Sequence, residues 1–413
     1  DVSLHNIVML ARNNPEMIFT SLAHRIDQSL LRESFSRLKK GKSMGVDKVT
    51  VADYAVDLDQ NLYNLHQRLK RGQYVASPVK RIWIEKENGK QRPIGIPALE
   101  DKIVQKAVEM ILSAIYEPNF YAFSHGFRSG HSQHQAIREL RESCITNNTN
   151  WILSADVTGL FDNIDHAHLK EFIKQRVNDG GIIRLIGKWL KAGVMEEDRY
   201  YCTESGTPQG GVISPILSNI FLHNVLDDWF VKEVQPRMKG RSFLIRFADD
   251  YITGFEVESD ARRALKAMVK RFERFGLELH PEKTKLIRFG RPSDKKDQVD
   301  GPGTFDFLGF TFYWGISLRG YWVIKKKTAK KRLSRFKRMV WDWCKKNRHK
   351  PLRAQHEVLC SKLRGYYQYF GVMCNFKAIA TIFHHTKRAW RLSLIHISEP
   401  TRPRLVSRMP SSG

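Results

Sequence analysis

The sequence predicts an α+β protein in which antiparallel strand pairs are interspersed with amphipathic helices. Two stretches predict strand pairs, because Asn88-Gly89 and Asp249-Asp250 each join two runs rich in β-branched and aromatic residues. Helices are predicted where apolar residues recur every three or four positions, as in Asp57 to Arg71 and in Asp101 to Tyr116. With 413 residues, 42% of them apolar, the chain is long enough for two or three structural units.

The charge of the chain predicts an anionic partner. Lys and Arg number 69 against 43 Asp and Glu, which gives a formal net charge of +26. Proteins that neutralise phosphates have this composition, although an anionic membrane surface would also attract such a chain. No run approaches the roughly 18 apolar residues of a membrane span, and no signal peptide opens the chain, so we expect a soluble, cytoplasmic protein without a membrane partner. The five cysteines form no C-x-x-C pair, which argues against a disulfide framework or a zinc site.

The first part of the chain is predicted to be helical and then to form a hairpin. Asn14-Pro15 is typical of a helix start, and a second helix is expected over Gln28 to Lys39. Val79 to Ile96 forms the hairpin that turns at Asn88-Gly89. Lys90 and Arg92 lie two residues apart on its returning strand and therefore on one face. These cations could hold a triphosphate, or they could be a solvated face of a basic protein.

Three polar stretches interrupt the apolar pattern. A β-like run ends at Asp156, and Asp165 is placed to cap the next helix. A loop with three glycines precedes Ser214-Pro215, which starts another helix. Asp249-Asp250 forms the tip of a tight hairpin. On these grounds alone, Asp156 and the Asp-Asp pair are either cation ligands or ordinary turn residues.

The last third becomes strongly basic. A helix over Asp260 to Phe275, a turn at Pro281 and an aromatic strand pair over Phe305 to Trp314 lead into it. Residues 325–391 contain 20 Lys and Arg but two acidic residues, with aromatic residues interleaved, and three helical segments are expected with breaks near Pro351 and Asn375. Such a region suits a nucleic-acid clamp, with Lys326, Arg335 and Arg364 among its expected contacts, although a charge run can also be a solvated face. Residues 392–413 begin like a translated sequencing adapter and are expected to be a non-native tail.

The order of the motifs resembles that of the group II intron-encoded reverse transcriptase/maturase family. The resemblance covers nearly all of residues 1–391. It rests on D-V-T-G-L-F, G-T-P-Q-G-G-V-I-S-P-I-L-S-N, F-A-D-D, L-H-P-E-K-T and F-L-G-F in this order, and on R-P-I-G-I-P, H-G-F-R and K-L-R-G-Y.

This resemblance implies a right-hand polymerase fold and its activity. The N-terminal extension would be residues 1–48, the fingers 49–150, the palm with its antiparallel sheet and some finger segments 151–324, and the three-helix thumb 325–391. The implied activity is that of an RNA-directed DNA polymerase, which extends a DNA or RNA primer on an RNA template with dNTPs. The implied setting is a mobile intron, with a structured intron RNA bound as by a splicing maturase. The alternatives are a mainly RNA-binding maturase and a related enzyme recruited to phage defence or a CRISPR locus.

The resemblance also implies roles for individual residues. Asp156 and Asp249 would hold two Mg²⁺ ions, with the Val157 carbonyl as a further ligand and Asp250 as an electrostatic support. The aromatic ring that excludes a ribose 2′-OH would be Phe161.

The triphosphate and pyrophosphate have implied partners of their own. Lys90 and Arg92 would cover the triphosphate, and Gln209 and Gly210 would line the nucleotide pocket. Lys283 would assist the departing pyrophosphate, with Lys285 two residues away as a competing candidate.

Overall fold

The structure is a computed structural model, which describes residues 2–38, 43–85, 89, 91–196, 199–201, 206, 210–292 and 302–398. The chain divides into two compact units, Asp1–Gly290 and Arg291–Gly413. Both units combine helices with β-sheet, so the predicted α+β class is confirmed. The predicted boundaries at 48, 150, 324 and 391 divide the chain by role rather than by compactness and stay predictions. No helix within the described ranges has the length and apolar character needed to cross a membrane.

The first unit is built around one buried helix. Its described α-helices are α1 (Val2–Asn13), α2 (Gln28–Ser36), α3 (Val51–Val56), α4 (Leu58–Lys70), α5 (Leu99–Tyr116), α6 (Gln133–Thr146), α7 (Leu160–Asn163), α8 (His166–Lys174), α9 (Gly180–Lys191), α10 (Ser214–Leu222) and α11 (Glu258–Arg274). Ile103, Ala107 and Ile111 of α5 have no exposed surface, and α1, α2 and α10 pack against this helix. The recurrence of apolar residues at every fourth position therefore predicted a core helix correctly.

The strands of the first unit form two sheets. The strands are β1 (Val79–Glu85), β2 (Gln91–Ile96), β3 (Trp151–Ala155), β4 (Val194–Glu196), β5 (Arg199–Tyr201), β6 (Ser242–Phe247), β7 (Asp250–Phe255) and β8 (Lys285–Arg288). One sheet has the order β2-β1-β4-β5 and the other β6-β7-β3-β8. In the second sheet β3 is antiparallel to both of its neighbours. Both predicted hairpins, β1–β2 and β6–β7, are confirmed.

The prediction of a helix start at Asn14-Pro15 is wrong. Helix α1 ends at Asn13, and the chain then runs without helix to Phe19, which pairs with Val177. The Arg176 guanidinium donates to the backbone carbonyls of Asn14 (3.1 Å) and Met17 (2.8 Å) in this segment. These long-range bonds satisfy carbonyls of a non-helical segment, and local sequence does not reveal them.

The helix that Ser214-Pro215 starts continues beyond α10 in an unusual form. Proline stands at the second helical position, as expected, because its missing N–H has no partner there in any helix. Two π-helical segments follow, His223–Asp227 and Phe230–Val234. Asp227, the last residue of the first segment, is fully buried.

The second unit joins a small sheet to a basic helical region. Its described elements are β9 (Phe305–Phe307), β10 (Phe310–Ile316), β11 (Trp322–Thr328), α12 (Lys330–Asn347), α13 (Leu352–Phe370) and α14 (Phe376–Ser398). The helices break near Pro351 and Asn375, as predicted. Residues 325–327, however, lie on β11 rather than on a helix, because β10 supplies aromatic cross-strand partners. The Lys327 ammonium lies 5.0 Å from the centroid of the Tyr313 ring.

Asp179 joins the N-terminal segment to helix α9. Its carboxylate accepts hydrogen bonds from the backbone N–H groups of Leu22 (2.5 Å), Ala23 (3.0 Å), Gly181 (2.7 Å) and Ile182 (3.0 Å). Burial raises the pKa of Asp179, but the four N–H bonds outweigh burial and hold the pKa below its usual value. The charged carboxylate therefore stabilises this connection.

We expect Asp179→Asn to lower the free energy of unfolding by about 1–3 kcal/mol at neutral pH, because one acceptor oxygen becomes a donor that faces backbone donors. Since the folded pKa lies below the unfolded value of about 3.9, this stabilisation is present above that pH and is lost as pH falls through the folded pKa. Urea unfolding of both proteins across this pH range measures the effect.

The matched control is Asp27→Asn. Asp27 caps α2 through one bond to the Leu30 N–H (2.8 Å), and Asn caps helices about as well as Asp. Equal losses in the two variants, or a loss at Asp179 that persists at low pH, would contradict this assignment.

Candidate active site

The Asp-Asp hairpin turns through Ala248 and Asp249. Phe247 and Asp250 form the last pair of β6 and β7, so Asp250 is the first residue of β7. Ala248 has φ 56, a left-handed conformation that costs an alanine roughly 1–2 kcal/mol. Asp249 is half-buried in this turn, whereas Asp250 is exposed on the strand. The two carboxylates thus differ in their exposure to solvent.

Asp156 leaves the end of β3 beside this turn. Ala155 pairs with Tyr251 of β7, and β3 and β7 are antiparallel, so the end of β3 and the start of β7 meet at one edge of the sheet. The next residue, Val157, bridges to Leu279. The two hydrogen bonds of that bridge use the Asp156 carbonyl and the Thr158 N–H, and leave the Val157 carbonyl out of the pairing. Asp156 and Asp249 therefore share one edge.

The carboxylates at this edge interact with each other and with cations. Burial raises the pKa of Asp249, and the charge of Asp156 raises it further, while Arg92 and Arg246 oppose the rise. The Lys283 ammonium lies 2.5 Å from a carboxylate oxygen of Asp156. That lysine side chain is 60% exposed, so it can leave without disturbing the core.

The strand that carries Arg92 approaches the glycine loop. A Cβ added to Gly210 would lie 2.7 Å from the Ile94 side chain and 2.8 Å from the Gly95 carbonyl oxygen. Gly210 also has φ 113, which favours glycine strongly. The loop and β2 are thus in backbone contact. Lys90 and Gln209 lie outside the described residues.

Phe161 lies on α7, five residues beyond Asp156, and is half-buried. A left-handed residue, Gly159 with φ 55, precedes this short helix. A Cβ added to Gly206 would lie 2.8 Å from the Phe161 carbonyl oxygen, so the glycine loop also packs against α7.

The predicted nucleic-acid contacts belong to the second unit. Lys326 is half-buried on β11, while Arg335 on α12 and Arg364 on α13 are exposed.

The carboxylates at the sheet edge suit a magnesium ion. Carboxylate and carbonyl oxygens are the ligands that Mg²⁺ prefers, and it commonly uses one or two carboxylates together with substrate phosphates. A cation would also relieve the repulsion between Asp156 and Asp249 that raises the Asp249 pKa. Among the described residues, no group of three His, Cys, Asp or Glu side chains is arranged to hold a metal. A pair of carboxylates is therefore the donor set that the protein offers here.

The sequence analysis missed a buried cluster beneath the hairpin. The Arg246 guanidinium donates to both carboxylate oxygens of Asp227 (2.8 and 2.6 Å), to the side-chain oxygen of Asn219 (3.0 Å) and to the Ala248 carbonyl (3.0 Å). Arg246 and Asp227 have no exposed surface. The available signal was an arginine at the end of an otherwise apolar strand.

Comparisons with known proteins agree on one family. Residues 84–312 match the family described as "Reverse transcriptase (RNA-dependent DNA polymerase)". The group II intron-encoded protein LtrA of Lactococcus lactis subsp. cremoris is 36% identical over 58% of this chain and 40% of its own length. Protein YkfC of Escherichia coli K12 is 32% identical over 60% of this chain and 73% of its own. Nuclear intron maturase 3 of Arabidopsis thaliana is 27% identical over 38% of this chain and 22% of its own. This chain thus spans well under half of the length of LtrA.

We expect Lys283→Met to tighten Mn²⁺ binding in the absence of nucleotide, because the ammonium competes with a metal ion for the Asp156 carboxylate. Exposed ion pairs are worth about 0.2–1 kcal/mol, so the dissociation constant should fall about 1.5- to 5-fold. Calorimetric titration with Mn²⁺ measures this change.

Lys285→Met is the matched control, since it removes the same charge two residues away on β8, where Lys285 pairs with Ser154. Identical affinities in the two variants would mean that general charge, and not the contact with Asp156, sets the effect.

Proposed function

Because the chain belongs to the group II intron reverse transcriptase/maturase family, which has the right-hand polymerase fold, we propose that it is an RNA-directed DNA polymerase. It extends a primer on an RNA template by nucleotidyl transfer from dNTPs. The observation that carries this proposal is the placement of Asp156 and Asp249 at one sheet edge, within the electrostatic reach of Arg92.

The residues at this edge of the sheet have different proposed roles. Asp156 and Asp249, together with the Val157 carbonyl, would hold two Mg²⁺ ions. When bound, such a pair activates the primer 3′-OH and neutralises the leaving pyrophosphate. Asp250 lies outside the turn and adds negative charge nearby. Asp249 follows Ala248 in the turn, where Ala248 is held in a left-handed conformation, φ 56.

The nucleotide is held from the opposite side. Arg92, with Lys90, binds the triphosphate as charge-assisted donors. Gly210, with Gln209, lines the pocket, where the absence of a side chain permits close approach of the loop to β2. Lys283 passes from Asp156 to the pyrophosphate as it leaves, and its exposure permits that movement.

RNA binding is the second part of the proposal. The names of two relatives refer to a group II intron and to an intron maturase, and the net charge of +26 suits a chain that neutralises phosphates. The chain binds its RNA template and a structured intron RNA, with Lys326, Arg335 and Arg364 contacting phosphates. In a mainly RNA-binding maturase the same surfaces would serve without polymerisation.

We expect Asp249→Asn to reduce primer extension on an RNA template at least ~1000-fold, since a lost metal ligand removes several kcal/mol of transition-state stabilisation. RNA affinity should not change, because the predicted RNA contacts lie in the second unit. Extension of a labelled primer and filter binding of the template measure the two quantities.

Asp165→Asn is the control, because Asp165 caps α8 through the His168 N–H (2.7 Å) and Asn can replace it there. Retained extension in Asp249→Asn would remove Asp249 from the metal site. Lost extension together with lost RNA binding would point to a structural role.

We expect Phe161→Ala to increase the use of ribonucleotides relative to deoxynucleotides by about 10- to 100-fold, since a steric pocket discriminates by roughly 1–3 kcal/mol. Single-nucleotide incorporation with each substrate measures kcat/KM for both.

Phe172→Ala is the matched control, because Phe172 is also half-buried but packs against Phe221 and Phe275, with ring centroids 5.6 Å away in each case. If both variants lose activity on both substrates without a change in their ratio, Phe161 is a packing residue.

A further inference from the structure

We propose that Arg246, Asp227, Asn219 and Gly126 are the positioning residues that set the Ala248–Asp249 turn, and thereby the metal affinity of Asp249. This inference rests on the proposed function, since it treats Asp249 as a metal ligand. Arg246 reaches the turn at the Ala248 carbonyl, and Gly126 lies against the Ala248 nitrogen. They act through the peptide that connects Ala248 to Asp249.

The first step is the chemistry of Arg246. A buried guanidinium requires partners for its donors, because leaving a charge unpaired inside a protein is costly. Asp227 takes two of the donors in a bidentate pair, and Asn219 takes another. The Ala248 carbonyl, 3.0 Å from the same guanidinium nitrogen as Asn219, accepts a fourth bond. The guanidinium therefore cannot move without breaking several charge-assisted bonds.

The second step is the peptide that follows. The carbonyl of Ala248 belongs to the peptide unit whose nitrogen is that of Asp249. Since a peptide unit is planar, a bond that fixes its oxygen also fixes the direction in which the Asp249 backbone starts. Ala248 is at the same time held in a left-handed conformation, φ 56. A strained residue persists only where its surroundings hold it in place, and such residues cluster at functional sites.

The third step is the contact on the other side of the turn. A Cβ on Gly126 would lie only 2.0 Å from the Ala248 nitrogen, so the backbones touch here and no larger residue fits. The segment just before Gly126 is bonded to Arg246 of β6, from the His125 N–H to the Arg246 carbonyl (2.8 Å) and from the Arg246 N–H to the Phe123 carbonyl (2.9 Å). The turn is thus held between this segment and the guanidinium.

Asn219 connects the two sides. Its side-chain nitrogen donates to the Gly126 carbonyl (2.8 Å), while its side-chain oxygen accepts from Arg246 (3.0 Å). The amide is 1% exposed, and both of its polar atoms are therefore used inside the protein. The contacts form a closed ring, which runs from Gly126 through Asn219 and Arg246 to Ala248 and back to Gly126. Each of these contacts restricts the movement of the others. Together they restrict the position of Asp249, which lies next to Ala248 and is half-buried at the surface.

The test compares Mn²⁺ affinity without nucleotide and the Mg²⁺ requirement of primer extension in two variants, Asp227→Asn and Arg246→Lys. Both keep the approximate size of the side chain and remove the bidentate pair. Loss of an outer partner of a metal ligand typically weakens binding by 10- to 100-fold, so we expect a shift of about that size in both quantities. Extension should recover in part at high Mg²⁺, which a general loss of folded protein would not produce.

Asp260→Asn is the matched control. Asp260 is also buried, at 1% exposure, and accepts from the N–H groups of Lys239 (2.7 Å) and Gly240 (2.9 Å) near the opposite end of β6. We expect it to lower the thermal midpoint without changing the Mn²⁺ affinity. If Asp227→Asn binds Mn²⁺ as the Asp260→Asn variant does, the cluster stabilises the fold and does not position Asp249, and the proposal is wrong.

A second pair of variants tests the same turn without touching the ion pair. Gly126→Ala forces a Cβ against Ala248, whereas Gly180→Ala, at the start of α9, meets nothing within 4 Å and has no positive φ. We expect the metal affinity to fall in the first variant and not in the second, even where Arg246→Lys fails to fold. Unchanged affinity in Gly126→Ala would overturn the proposal.

The outcome also separates this proposal from the proposed function. A wild-type protein that binds Mn²⁺ through Asp249 but does not extend a primer would refute the polymerase, while the comparison of variants by calorimetry would still decide on the positioning cluster.

Discussion

The buried ion pair between Arg246 and Asp227 is the interaction on which the candidate active site depends. Removing two charges from water costs several kcal/mol for each ion, and a pair of apolar residues of equal size would often be as stable or more so. The cost is offset here because Arg246 also bonds Asn219 and the Ala248 carbonyl, and so connects helix α10, its π-helical continuation and the hairpin that carries Asp249. The pair thus determines a geometry more than it contributes stability.

Nearer the surface, repulsion between two carboxylates is the main electrostatic feature of the same site. Burial raises the pKa of Asp249, and repulsion from Asp156 at the edge of the sheet raises it further. Lys283 provides a compensating charge for Asp156. A lysine on an exposed, flexible stem is suited to this task, because it neutralises the carboxylate and yields its place at small cost.

Sequence reasoning succeeded where the cause of a structure is local. The Asp165 cap, the proline near the start of α10 and the hairpin around Asp249 each follow from a few neighbouring residues, and all are present. It failed where partners are distant, as at Pro15, whose segment is held by Arg176. The candidate site divides in the same way: the motifs indicated Asp156 and Asp249, but no local pattern indicates that Asn219 bonds Gly126, 93 residues earlier. The contact between Lys283 and Asp156 is likewise supplied by the fold alone, and the role of Lys283 rather than Lys285 at the pyrophosphate stays a prediction.

The π-helical segment after α10 changes the angle around the helix axis at which Asp227 lies relative to Asn219. Asn219 and Asp227 are eight residues apart, whereas two α-helical turns hold about 7.2 residues, so a regular helix would carry Asp227 past the face that Asn219 occupies. A π turn accommodates an additional residue and thereby brings the two side chains back toward one face, where both bond Arg246. The π turn therefore keeps the side chains of Asn219 and Asp227 on the same face of the helix. A regular α-helix over the same eight residues would place Asp227 about 80° beyond the face of Asn219, and would separate the carboxylate from the guanidinium that it bonds.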